Sequence, residues 1–328
     1  MSACYLLPVI LALTAAPEAA DASERATVLI VVGAAGEAEY GRQFAAWAAR
    51  WEVAAKKAQA TVQTIGLASP EKEPDRDLLA ATITKAAAAK QAAALWIVLI
   101  GHGTFDGKTA RFNLRGPDVS AVELAQWLKG CERPTAIIDC AAASGPFLQE
   151  LSVPNRVVIT ATRSGHEHNF ARLGDFLSAA IADPAADLDK DEQTSLLEAF
   201  LSAAANVQEF YAKDGRLVTE HALLDDNGDK LGTPSDWFRG LRATKRAKDG
   251  ASLDGLRASQ LHLVPSTREE QLSAASRARR DAIERDLELH RQKKSSLEEA
   301  DYYRQIEPLL IELARLYASA GEGAGIAE

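Results

Sequence analysis

This 328-residue chain has little of several things that would class it at once. It holds three cysteines, and 37 Lys and Arg against 46 Asp and Glu give a net charge of -9. That balance argues against a nucleic-acid partner, because phosphate binding wants a basic face. No apolar stretch reaches the roughly 20 residues that a membrane span needs; the run Tyr5–Ala16 falls well short. No complete G-x-G-x-x-G fingerprint follows the first strand, only Gly33 and Gly36, which disfavours a dinucleotide site. There is no internal repeat. With 47% hydrophobic and 25% charged residues, the chain is neither disordered nor fibrous.

What is present begins with a leader. The run Tyr5–Ala16, followed by small residues at Ala19, Ala20 and Ala22, reads as a secretory signal peptide over residues 1–22, although no Lys or Arg precedes it. The expectation is an exported protein, periplasmic or extracellular, with no membrane span in the mature chain. Losing Glu18 and Asp21 brings the net charge from -9 to about -7. Cys131 and Cys140 remain, near opposite ends of a strand and roughly 25–30 Å apart at about 3.3 Å per residue. They are not expected to pair, since a disulfide needs Cα atoms within about 7 Å. Cys140 is then either a reactive thiol in an exported protein or a small buried apolar residue.

Along the chain, strands are read at Thr27–Val32, Thr61–Ile65, Leu95–Ile100, Thr135–Ile138 and Arg156–Thr160. Between them lie helical segments: Glu37–Ala60 with Tyr40, Phe44, Trp47, Ala48 and Trp51 on one face, Asp75–Ala94, Val119–Leu128 capped by Ser120 with Glu123, and Ser144–Leu151. This alternation implies an α/β fold with a mainly parallel central sheet flanked by helices. Amphipathic helices follow at Phe170–Ile181 and Ser195–Tyr211. After residue 245 a strand at Gln260–Val264, a helix from Pro265 to about Lys293 and a second from Ser295 to about Ala318 predict a helical hairpin with a disordered Gly/Ala tail. The expected domains are thus the leader 1–22, an α/β domain over 23–245 and a helical extension over 246–328.

Two features could hold a metal. Asp187, Asp189, Asp191 and Glu198 stand at places one, three, five and twelve of a calcium loop, but Glu192 replaces the turn glycine, and Ser195 with Glu198 also spells a capping box. A similar acidic turn runs Asp225-Asp226-Asn227-Gly228-Asp229. Calcium is the one cofactor candidate. His166 and His168 with a remote Cys140 fit no zinc pattern.

The chemistry concentrates in Leu95–Gly145. In open α/β sheets, residues just past the carboxyl ends of neighbouring strands converge on one crevice. Here they would be His102, between two glycines, and Cys140 after Asp139. The segments L-W-I-V-L-I-G-H-G (95–103), T-A-I-I-D-C-A-A-A-S-G (135–145), I-T-A-T-R-S-G-H-E-H-N (159–169) and S-L-L-E-A-F (195–200), in that order, resemble the caspase-like superfamily of cysteine peptidases, which includes metacaspases and legumains. The resemblance covers about Thr27 to Gly232 and implies a caspase-like three-layer fold. It implies acyl transfer: Cys140 attacks a peptide carbonyl, His102 handles the proton, and the N–H groups of Gly103 and the nucleophile face the oxyanion. Arg163, Ser164 and Glu167 would line the pocket for a protein or peptide substrate, Glu167 selecting a basic side chain.

The same resemblance supplies an alternative. Metacaspases and legumains place the cysteine three residues before the glycine, which falls here on Ala142, whereas Cys140 lies five before Gly145. Either two extra loop residues follow a working nucleophile, or the nucleophile is gone and the domain is a catalytically inactive protein-binding module.

Overall fold

The computed structural model describes residues 25–68, 73–248 and 251–322. The leader read over 1–22 and residues 323–328 of the tail lie outside the described residues. A seven-stranded sheet forms the centre. Its first five strands in the chain are β1 (Thr27–Val32), β2 (Thr61–Ile65), β3 (Leu95–Ile100), β7 (Thr135–Asp139) and β8 (Arg156–Thr160), all parallel. Two short antiparallel strands, β9 (Leu223–Asp225) and β10 (Thr233–Pro234), finish the edge in the order β10-β9-β8-β7-β3-β1-β2. The parallel strands are runs of Val, Ile and Leu because both of their faces are covered.

Helix α1 (Ala38–Lys57), α5 (Leu173–Ala180) and α6 (Leu196–Lys213) cover one face, where Val28, Trp96, Ile138 and Cys140 pack with Phe44, Trp47 and Phe200. Helix α2 (Asp75–Ala88), α3 (Ala121–Trp127) and α4 (Gly145–Leu151) cover the other, with Leu79, Ile83, Leu124 and Phe147 against Leu29, Ile97 and Ile137. Sequential crossovers take β1 to β2 on one side and β3 to the other. The strand order therefore reverses between β1 and β3, and a crevice opens there beyond their carboxyl ends.

Short elements depart from the sequence reading. Between β3 and β7 a small antiparallel sheet forms from β4 (Gly103–Phe105), β5 (Ala110–Phe112) and β6 (Val119–Ser120). Asp106 closes its first turn by accepting from the N–H groups of Lys108 and Thr109 at 2.9 and 2.7 Å, with Gly107 at φ 89°. A two-stranded hairpin, β11 (Phe238–Arg239) and β12 (Arg242–Ala243), precedes the carboxyl-terminal helices. The strand expected at Gln260–Val264 is absent: α7 (Leu256–Gln260) ends where it should begin, and His262 makes one antiparallel bridge with Ser195. The single helix expected from Pro265 is two, α8 (Thr267–Gln271) and α9 (Ala274–Gln292), because Ser273 caps the second by accepting from Ser276 N–H at 3.1 Å. α10 (Glu299–Glu322) completes the hairpin by packing on α9 through Ile283, Leu287, Tyr302 and Ile306. The chain past 245 does not leave the α/β body at once. Asp254 accepts from the N–H groups of Asp226 and Asn227, and Asp226 accepts from those of Gly255 and Ala258. No helix among the described residues is long and apolar enough to cross a membrane.

Candidate functional site

The crevice between β1 and β3 is where the sheet delivers His102. Ile100 is the last residue of β3 and pairs with Val32, so the chain leaves the ladder just before Gly101-His102-Gly103. The imidazole Nε2 lies 3.2 Å from the carbonyl oxygen of Ala35, in the loop after β1. A carbonyl only accepts, so Nε2 carries the hydrogen and that nitrogen is not a free base. Three rings enclose the imidazole. Tyr40 lies 4.8 Å away edge-on, Phe44 5.2 Å and Phe170 5.8 Å by ring centroid. The crevice thus holds His102 as a packed, oriented ring.

The glycines on either side of His102 serve packing between backbones. A Cβ on Gly103 would lie 2.2 Å from the Ala142 carbonyl oxygen and 3.2 Å from Ala141 Cβ. One on Gly101 would meet the Phe112 ring at 2.9 Å. Gly103 is therefore filled by the loop after β7, the place where the resemblance puts an oxyanion.

Cys140 does not stand at the rim. Strand β7 runs one residue further than the sequence reading, to Asp139, and the Cys140 N–H still donates to Leu99 O at 3.0 Å. Its side chain points to the α1/α5 face, 1% exposed, under Trp47 and Gly174; a Cβ on Gly174 would meet Cys140 Cβ and two Trp47 ring atoms, all at 2.8 Å. Burial pushes the thiol well above its ordinary range, and the neighbouring charges of Asp139 and Glu220 push the same way. Reactive cysteines sit beside cations or helix N-termini, which lower the thiol pKa. Cys140, the expected thiolate nucleophile, is thus placed in the core among Trp47 and Gly174, not at the rim. Cys131 is also free, so the two thiols do not pair, and it is partly exposed.

Asp139, quoted in the motif but given no role there, is fully buried. One carboxylate oxygen accepts from Ala141 N–H at 3.0 Å, and Oδ2 has no partner among the described residues. Burial holds its carboxyl up to about 7.

The loop after β8 is stapled to the loop after β7. Gly145 N–H donates to Thr162 Oγ1, Thr162 N–H donates to Ser144 Oγ, and Ala143 N–H donates to Glu167 O at 2.8 Å. Ala143 takes φ 55° to do so. Glu167 is occupied both by its own loop and by His221, just before β9. It accepts from Arg163 N–H, from His221 N–H and from His221 Nδ1 at 2.7 Å, and it pairs with Arg163 Nε at 3.2 Å. Glu167, expected as a selector of basic side chains, is placed as a brace between its own loop and His221. Ser164 Oγ accepts from His166 N–H, and Arg163, His166, His168 and Asn169 are the exposed side chains of this loop. Glu220, unremarked in the sequence, caps α5 by accepting from the N–H groups of Arg172 and Leu173 at 2.8–3.0 Å.

Of the calcium residues, Asp187, Asp189 and Asp191 come together, one oxygen from each lying within 4.8 Å of the others. Glu198 does not join them. Its Oε1 accepts from Leu188 and Asp189 N–H, and its Oε2 from Ser195 N–H and Oγ, so the local capping box takes the carboxylate. Burial, with the charges of Asp191, Glu198 and Asp187, raises Asp189 to about 6.

No family model and no curated protein matches this chain. Among solved structures it is similar to the Drosophila initiator caspase Dronc, with 14% identity, a TM-score of 0.41 and coverage of 61% of this chain and 79% of that one. At that score the likeness assigns neither activity nor catalytic residues.

Proposed function

We propose that the chain is a catalytically silent, caspase-like α/β module that binds a protein or peptide segment at the rim of the β1/β3 crevice. One observation carries this reading: Cys140, the cysteine at the end of the strand beside that of His102, is sealed under Trp47 and Gly174, while the position expected for the nucleophile is Ala142. A packed His102 whose Nε2 is held by Ala35 O supports it. Exposed Arg163, His166 and His168 offer a polar rim for contact.

Thiol labelling followed by peptide mapping tests it. Cys131 is expected to react with iodoacetamide in the native protein, and Cys140 at least about a thousandfold more slowly, reacting only on opening of the core. A peptide library should be left uncut. Cleavage that disappears in both Cys140→Ala and His102→Ala overturns the proposal.

A second reading, calcium at the acidic loop, is favoured by the convergence of Asp187, Asp189 and Asp191 and by the backbone of the loop that carries them. Lys190 and Glu192 take φ 64° and 72°, and Glu192 stands at the sixth place, where a calcium loop uses glycine. Millimolar calcium is expected to raise Tm by about 2–5 °C. Asp189→Asn should raise Tm without calcium, by relieving like charge, and abolish the calcium response. An unchanged Tm in the wild type ends this reading.

A further inference from the structure

The hairpin of α9 and α10 carries two seams on α10, one apolar and one apolar but for Glu307, and α9 covers only the first. Tyr302, Ile306, Leu309, Leu313 and Leu316 step by four and three along the side packed on α9. One residue over, Tyr303, Glu307, Leu310 and Ala314 repeat the same spacing, with Ile311 beside them. This second seam faces solvent, Tyr303, Leu310 and Ile311 being 50%, 45% and 44% exposed, and with Ile306 it shapes a concavity of about 540 Å³. Alternate four- and three-residue steps are the spacing by which helices interlock. Scattered exposed leucines need no explanation, whereas a contiguous stripe at this spacing does.

We propose that a second copy of this chain covers the stripe, the two α10 helices crossing antiparallel at Leu310–Ile311 so that the hairpins close a four-helix bundle. The charges select this occupant and this direction. Glu307 lies in the middle of the stripe and Arg315 on its flank, and neither has an ion-pair partner among the described residues. With the two-fold axis at Leu310–Ile311, the residue opposite Glu307 is the other copy's Ala314. Its Arg315 sits one 1.5 Å rise beyond, within reach of the Glu307 carboxylate. The symmetry makes this pair twice. A parallel pairing would instead set Glu307 against Glu307, a like-charge contact that disfavours it. Arg304 shares the flank with Arg315 and is already held by Asp301 at 2.8 Å. Each chain offers one helix face, a small interface, so the affinity belongs in the micromolar range.

Sedimentation equilibrium of the full chain from about 1 to 100 µM should show a monomer–dimer equilibrium. Ile311→Glu, which leaves the α9 seam untouched, should raise Kd at least about tenfold with unchanged far-UV circular dichroism and Tm of the monomer. Glu307→Arg and Arg315→Glu should each weaken dimerisation several-fold, and the double reversal should restore Kd to within about twofold of the wild type. A monomer at every concentration overturns the proposal, as does a dimer indifferent to Ile311→Glu. Failure of the double reversal to recover affinity overturns the antiparallel pairing.

Discussion

Gly103→Ala is expected to destabilise the protein by about 3–5 kcal/mol, lowering Tm by roughly 6–12 °C, measured by urea titration and calorimetry. The added methyl would stand 2.2 Å from the Ala142 carbonyl oxygen, a backbone atom that cannot rotate away. To make room, the loop after β7 must move, and it is pinned. Ala143 is bonded to Glu167 O, and Gly145 and Ser144 are bonded to Thr162. The cost therefore falls on the joint between three loops, not on one contact. Thr104→Ala, one residue on and on an exposed side chain, serves as the control and should change stability by less than about 0.5 kcal/mol. If Gly103→Ala matched this control, the close approach of the two backbones would be disproved, and with it the account of why the histidine is flanked by glycine.

This joint also shows what could be read from the chain and what could not. The strands that carry it were legible because a strand buried on both faces is a continuous run of apolar residues, as in L-W-I-V-L-I. The same property hid the orientation of Cys140. When both faces are apolar, the period of two does not say which residue is last in the ladder. The strand ends at Asp139, not Ile138, and that one-residue difference takes the thiol from the rim into the core. His102 was legible as a residue beyond a strand end, but its cage was not, since Phe170 joins Tyr40 and Phe44 only through tertiary packing.

Non-local caps escaped in the same way. The Gln260–Val264 segment reads as a strand by its own residues. The helix just before it starts at Gly255, at φ 108°, and its first N–H groups are satisfied by Asp226, far back in the chain. Local competition, by contrast, could be read in advance. Ser195 and Glu198 were recognisable as a capping box, and that pairing is what keeps Glu198 from its three acidic neighbours.

Asp139 gives the second large expected effect, a stability that falls as pH rises through neutrality. Its carboxyl titrates near 7 in the folded chain against 3.8 ordinarily, because burial disfavours the charge. Between those values the native state binds a proton that the unfolded chain has released, so stability grows as pH falls. Three units correspond to about 4 kcal/mol at most, at 1.36 kcal/mol per unit. Asp254, up to about 8 through burial and the Asp226 charge, and Asp225, up to about 6 through burial, act in the same direction. Glu123 opposes them only in acid. Its hydrogen bonds from Ser120 and Arg76 hold it down to about 2, so that contribution is lost below the ordinary carboxylate range. The maximum should therefore lie between about pH 3 and 4, read as urea midpoints from pH 3 to 9. Asp139→Asn, which can keep an oxygen facing Ala141 N–H, removes the charge without emptying the site. It should be more stable than wild type by about 2 kcal/mol at pH 8 and nearly equal at pH 5, because the wild-type carboxyl is then neutral. A constant difference at both values would mean that Asp139 is already ionised in the folded chain at pH 5, its carboxyl unshifted by burial; a gap that keeps widening above pH 7 would mean that it stays protonated. A loss at pH 8 would mean that its buried Oδ2 is paired as an anion, contrary to the geometry in which it stands alone beside Cys140.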